Sequence, residues 1–228
     1  MLKKKVCQKN LNLRNNHLED IRNKMNITKI ETLTKTKFKV FLDGEFAFVL
    51  YKGELSRYGI KEDGELDEEV YSKIVDEVLT KRAKLRAMHL LEKMDRTESG
   101  LRDKLKDNGY PEIAIESAID YVKSFGYIND ERYAFNFINN RKDSKSRREI
   151  YALLYRKGID KEIMDNAFNE VYDESDDKDA IRCLISKRHV DVNNCTDEEL
   201  NKLYGYLGRK GFTYGDIRQV VQEAQHDA

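Results

Sequence analysis

Leu101-Arg102-Asp103-Lys104-Leu105-Lys106-Asp107-Asn108-Gly109-Tyr110 is the stretch that decides the fold. Leu101 and Leu105 are four apart and so share one face of a helix. Gly109 stands where that helix must stop, because a left-handed residue closes the last turn and glycine carries no Cβ penalty there. Ile150, Leu154, Gly158 and Ile159 copy the spacing, and Leu203, Leu207, Gly211 and Phe212 copy it again. The pattern continues beyond each glycine. Ile115, Met164 and Ile217 follow at one offset, then Ala118, Ala167 and Val220, then Ile119, Phe168 and Val221. A helix, a glycine stop and a second helix thus recur with a period near fifty residues. Such a period predicts stacked supersecondary units that bury their apolar faces against one another. It favours an extended partner-binding surface over a single catalytic pocket.

Working outward, each copy gains a preceding helix: Ala83–Met94, Asp130–Arg141 and Ser175–Lys187. The predicted fold is mainly α: three tandem three-helix repeats, over 81–133, 134–179 and 180–228, forming an elongated curved body. Thr97 is placed to cap a helix, Ser146 with Glu149 and Thr196 with Glu199 form capping-box pairs, and Pro111 fits a first helical turn. Before the repeats, 26–80 reads as a small β segment with a linking helix. Phe38, Val40 and Leu42 alternate up to Asp43-Gly44, and Phe46, Phe48 and Leu50 alternate after it. Asp-Gly between alternating apolar residues predicts a two-residue type I′ hairpin turn, whose central residues both need positive φ. Ile27 to Leu33 is a candidate third strand, and a helix starting near Asp67 should present Val70, Ile74 and Val78 on one face. Residues 1–25 form a polar, basic tail, with Met25 as an alternative start of the chain.

Composition narrows the class. The charged fraction is 37% and the apolar fraction 39%, with one proline and no tryptophan, which fits a helix-rich globular chain. The formal net charge is zero, so no global attraction to nucleic acid is expected. No apolar run suits a membrane span or a secretory signal. Three cysteines without a C-x-x-C pair indicate reduced thiols and a cytoplasmic protein.

Between the first two copies runs Gly126-Tyr127-Ile128-Asn129-Asp130-Glu131-Arg132-Tyr133-Ala134, a helix stop, an apolar staple and an Asn/Asp cap. Together with Leu101-x-x-x-Leu105-x-x-x-Gly109-Tyr110, Leu154-x-x-Lys157-Gly158-Ile159 and Leu207-x-Arg209-Lys210-Gly211-Phe212, it closely resembles the RecX family of recombinase regulators. The resemblance spans roughly Lys81 to Ala224. There are departures. Ser146-Arg147 stands where members often have Gly-Pro, Leu153 replaces a common glutamate, and Gly100 sits where a glutamate is usual. The resemblance implies a non-enzymatic modulator that lodges along the RecA filament on single-stranded DNA and restrains its ATPase and strand exchange. A monomer without cofactor or metal is expected, with single- or double-stranded DNA as a further contact. The rival readings are a DNA-binding protein that never touches RecA, a helical-repeat adaptor for another protein and, least favoured, an enzyme.

Candidate contact residues are cations. Arg141, Lys142, Lys145, Arg147 and Arg148 cluster at the opening of a helix, where positive charge opposes the dipole and so suggests a use beyond helix stability. Arg156-Lys157 and Arg209-Lys210 occupy matching places before two of the repeat glycines, where complementing the helix C-terminus is a sufficient role in itself. Tyr127, Tyr133, Tyr151 and Tyr155 read as core or half-buried rings rather than base-stacking platforms. Cys183, His189 and Cys195 do not have the spacing of a zinc site.

Overall fold

The computed structural model describes residues 24–173 and 175–226. The chain divides into two compact units, one built from residues up to 93 with 101–125, the other from 94–100 with the residues from 126 onward. The postulated basic tail lies outside the described residues except for its last two, Lys24 and Met25, which belong to the first strand rather than to a tail.

In the first unit the alternating segments form an antiparallel sheet of β1 (Lys24–Thr32), β2 (Lys37–Leu42), β3 (Glu45–Tyr51) and β4 (Gly64–Asp67), in the order β3-β2-β1-β4. Asp43 and Gly44 both take positive φ, 50° and 88°, as the hairpin requires. β4 adds a strand that the alternation does not announce. It is short, with Leu66 its buried residue, and too brief for a pattern to show. One sheet face buries Ile27, Val40, Leu42, Phe48, Leu50 and Leu66. A short helix, α1 (Lys52–Arg57), follows β3.

The linking helix begins where expected, as α2 (Glu68–Lys73), but it widens into a π-helical stretch over Ile74–Thr80 before continuing as α3 (Lys81–Lys93). This corrects the expected 70/74/78 face. Bonding from i to i+5 brings residues five apart onto one side, so Ile74, Val75 and Leu79 are buried while Val70 and Val78 are only half-buried. The stretch and α3 pack against α5 (Glu112–Ser124), and α4 (Glu98–Asp107) is tied to α5 by Arg102, whose guanidinium donates to both oxygens of Glu116 at 2.5 and 2.8 Å. Pro111 sits one residue earlier than read, at the cap of α5 rather than inside its first turn. Gly109 has φ +80°, and a Cβ there would lie 2.5 Å from Val49 Cγ2. The first glycine turn therefore rests against β3.

The second unit holds α6 (Asp130–Asn139), α7 (Arg147–Tyr155) and α8 (Lys161–Val171), then α9 (Asp176–Lys187), α10 (Asp197–Arg209) and α11 (Tyr214–His226). Two cores form there. Ala134, Phe137, Ile138, Ile150, Leu154, Ile159, Met164, Ala167 and Phe168 make one. Ala180, Ile181, Leu203, Leu207, Phe212, Ile217, Val220 and Val221 lie at the centre of the other. The residues that established the period in the sequence are thus the residues that fill these cores. Gly158 and Gly211 take φ +73° and +96°, as helix-ending glycines should.

A joint recurs in this unit. Thr97 caps α4: its hydroxyl accepts from Gly100 N at 3.0 Å and donates to Lys157 O at 2.7 Å. Ser146 caps α7 in the same way, accepting from Glu149 N at 3.1 Å and donating to Lys210 O at 2.7 Å. Asp130 accepts from Glu98 N at 2.9 Å, and Asp177 from Arg147 N at 3.0 Å. Each cap hydroxyl thus serves its own helix and the lysine carbonyl just before the next copy's glycine. Ser146-Glu149 is only half a capping box, because the Glu149 carboxylate turns to Lys145 instead. Thr196 makes the full box with Glu199, and its hydroxyl donates to that glutamate at 3.0 Å. The Ser146-Arg147 departure has a physical use here: serine supplies the bridging hydroxyl and arginine an amide that proline lacks. Ser146→Ala orphans a buried carbonyl and a cap amide together, and should cost about 1–3 kcal/mol. Urea denaturation checks this, and a loss under about 0.3 kcal/mol would deny the joint any weight.

Candidate partner-binding groove

α7 divides its residues by helical phase. Ile150 and Leu154 face the core and are fully buried. Arg147, Tyr151 and Tyr155 run along the adjoining side at four-residue spacing, flanked by Arg148 and Arg156. This side borders the Gly211-Phe212-Thr213 turn, and the two enclose an open groove of about 860 Å3.

The nine candidate cations separate into two groups. Arg147, Arg148 and Arg156 line the groove and are exposed, with no ion pair among the described residues. The Arg147 guanidinium lies 4.8 Å from the centre of the Phe168 ring and 5.7 Å from that of Tyr172, so the charge is held at a fixed place rather than swinging free. Four of the others have side chains engaged within the protein. Arg141 covers the Phe137 ring at 3.8 Å. Lys142 donates to Val171 O at 3.2 Å and to Asp176 at 3.3 Å, and Lys145 pairs with Glu149. Lys157 lies over Tyr133 and Phe137 at 5.7 and 5.8 Å. Lys210 supplies the carbonyl of the joint, and Arg209 is exposed but does not line the groove.

The tyrosines also divide. Tyr133 and Tyr151 are half-buried, Tyr151 stacking on Phe168 at 5.8 Å and 22°. Tyr127 and Tyr155, also expected to be core or half-buried, are instead exposed, Tyr155 to 71%. The signal was present: Tyr155 follows Leu154 directly and so falls off the buried stripe. Phe212 is recognisable as a repeat position, but its place at the groove depends on how the third copy packs. The groove contains one carboxylate, Asp177, and that is held at 2.7 Å by the Tyr172 hydroxyl as well as by Arg147 N. Burial, reinforced by the Asp177 carboxylate, pushes the Tyr172 hydroxyl well above the usual phenol range, so it remains a proton donor to that aspartate. The floor therefore holds one hydrogen-bonded carboxylate, and the rim is cationic with one exposed ring. Such a groove can take an acidic, partly apolar partner segment. Among the described residues no group of three or more His, Cys, Asp or Glu is placed to hold a metal ion, and no helix is long and apolar enough to cross a membrane.

Comparison with known proteins gives this geometry a family. Residues 83–121 match the model of the RecX first three-helix domain and residues 129–167 that of the second. The regulatory protein RecX of Caldanaerobacter subterraneus subsp. tengcongensis is 35% identical over 86% of this chain and 98% of its own length. The chain belongs to the RecX family. The RecX of Clostridium beijerinckii is similar at 31% identity, over 88% of this chain and 95% of its own. Among solved structures, a regulatory protein RecX aligns with a TM-score of 0.54 and 25% identity, covering 90% of this chain and all of its own. RecX from Lactobacillus salivarius aligns with a TM-score of 0.53 over 64% of this chain and 96% of its own, at 25% identity. The two RecX domain models end before α9, so the groove combines a helix inside the second RecX domain with a turn from the bundle that follows it.

Proposed function

We propose that this chain is a non-enzymatic, cytoplasmic regulator of homologous recombination and DNA repair that binds RecA filaments on single-stranded DNA and restrains their ATPase and strand exchange. Membership of a family whose relatives are named regulatory proteins supports the reading, as does a helical-repeat architecture. The observation that carries it is the groove, with three arginines that make no ion pair among the described residues beside an exposed tyrosine. Arginine and tyrosine are enriched among the residues that dominate protein interfaces. Cations at a groove rim steer an acidic partner and fix its register. A filament repeats its surface, so a chain of repeats can engage neighbouring protomers together, and modest contacts then add through effective concentration.

The test is RecA-coated single-stranded DNA titrated with the monomeric chain, followed by ATP turnover. Arg147→Glu/Arg148→Glu/Arg156→Glu should raise the half-inhibitory concentration roughly tenfold or more, since each missing interface cation costs on the order of 1 kcal/mol. The melting temperature should hardly move, because these side chains are exposed. Inhibition equal to that of the unaltered chain would remove the groove from the interface.

A further inference from the structure

Arg148, Ala152 and Arg156 stand four residues apart and form a single exposed row along α7. The row reads cation, gap, cation. Alanine ends at its Cβ, so a notch lies between the two arginine stems. Tyr151 and Phe212 line the same groove, so the surroundings of the notch are apolar. At one end Arg148 rests on the third glycine turn, its Cβ and Cδ 3.4 and 3.6 Å from where a Cβ on Gly211 would stand. At the other end Arg156 Nε donates to Ala152 O at 3.4 Å, which draws that side chain back towards the notch.

The floor adds a directional group. Asp177 accepts from the Tyr172 hydroxyl at 2.7 Å and from Arg147 N at 3.0 Å, both on Oδ1. Its Oδ2 accepts no hydrogen bond among the described residues, and so is free to take an N–H from a partner. The same carboxylate repels phosphate, which favours a peptide over a nucleic-acid strand in this groove. A helical segment has its main-chain N–H groups bonded internally, whereas an extended one presents them. Alternate side chains of an extended segment also point to one side, so its first, third and fifth residues can meet the row together.

We propose that the groove recognises an extended peptide of the form acid–x–apolar–x–acid, with the apolar side chain in the Ala152 notch, the carboxylates on Arg148 and Arg156, and a main-chain N–H on Asp177. The dimensions agree. Arg148 and Arg156 are eight positions apart on a helix, a rise of about 12 Å. Two residues four apart in an extended segment are separated by about 13 Å. Each carboxylate so placed can take a guanidinium through two parallel hydrogen bonds. The proposal rests on the reading of this groove as the surface that meets RecA, and it specifies the chemistry recognised there.

The experiment is fluorescence anisotropy of the full chain, without RecA, against the labelled peptide Ser-Asp-Gly-Phe-Gly-Asp-Ser. Companion peptides carry Asn for both acids, Ala for the ring, or the same residues reordered so that the acids are adjacent. The Asn peptide should bind roughly tenfold more weakly, and the Ala and reordered peptides about fivefold more weakly. Ala152→Arg adds a cation but fills the notch, so it should weaken binding about fivefold or more, where bare charge attraction would strengthen it. Ala152→Gln fills the notch without charge and should act in the same direction. Absence of saturable binding up to about 1 mM, equal affinity for the reordered peptide, or tighter binding by Ala152→Arg would overturn the proposal. Displacement of the peptide by an oligothymidylate would also overturn it, marking the groove as a nucleic-acid site. If the peptide fails to bind while the triple arginine variant still loses RecA inhibition, the groove remains the interface and only its peptide chemistry falls. If neither effect is seen, both readings fall.

Discussion

Gly158→Val is expected to destabilise the second unit by about 2–5 kcal/mol, combining ~1–2 for a left-handed L-residue with ~1–3 for overpacking. Gly158 has φ +73°, and a Cβ there would run into the Cβ and Oγ of Ser99. The clash falls where the Thr97 hydroxyl donates to Lys157 O, so a residue with a side chain must break the joint or move it. Gly126 provides the control. It shares the positive φ, at +67°, but among the described residues nothing lies within 4 Å of where a Cβ would stand. Gly126→Ala should therefore cost only the backbone term, about 1 kcal/mol, and Gly158→Ala distinctly more. Urea midpoints of the two alanine variants decide the matter. Equal losses would mean that the glycine serves only as a helix stop and that the close approach has no energetic weight.

Phe168→Ala should cost about 3–5 kcal/mol, the usual loss for deleting a fully buried ring. Phe168 has no exposed surface, stacks on Tyr151, meets Tyr172 edge to face at 5.4 Å and lies beneath the Arg147 guanidinium. The same ring thus supports the core and one wall of the groove. Phe168→Leu separates the two roles. It retains most of the volume, so its stability loss should be near 1 kcal/mol, by the usual range of about 1.5 or less for such swaps. It removes the flat surface that holds Arg147, so RecA inhibition should weaken more than stability does. A calorimetric or urea loss below about 1 kcal/mol for Phe168→Ala would contradict the packing, since a cavity of that size cannot close freely. Full inhibition by Phe168→Leu would show that Arg147 needs no platform.

The contrast between Ile150 and Tyr155 shows how far periodicity reaches. Ile150 and Leu154 are legible as core because burial in a helix repeats with its turn, and a short window of sequence contains that whole signal. The positive φ of Gly109, Gly158 and Gly211 is equally legible, since few residues tolerate it. The hairpin turn at Asp43-Gly44 is readable for the same reason. The π-helical stretch is not: Ile74, Val75 and Leu79 suit either helical period, and the wider one is found where the stretch packs against α5. β4 escapes notice because four residues cannot display an alternation against chance.

The candidate site divides along the same line. Local composition marks the cations but cannot say which are already engaged. Lys142 looks as available as Arg148 until Val171 O and Asp176 are brought to it from residues roughly thirty positions away. The second roles of Thr97 and Ser146 are invisible for the same reason, because their carbonyl partners lie 60 and 64 residues along the chain. By itself the sequence determined the repeat helices, their stops, the faces they bury and the family, since each rests on residues a few positions apart or on an ordered set of them. Only the tertiary structure decided which charges remain free, where the groove opens and why Gly109, Gly158 and Gly211 leave no room for a side chain. Those properties belong to pairs of atoms that the chain brings together from a distance, and a hydrogen bond or a clash exists only once the distance between them is fixed.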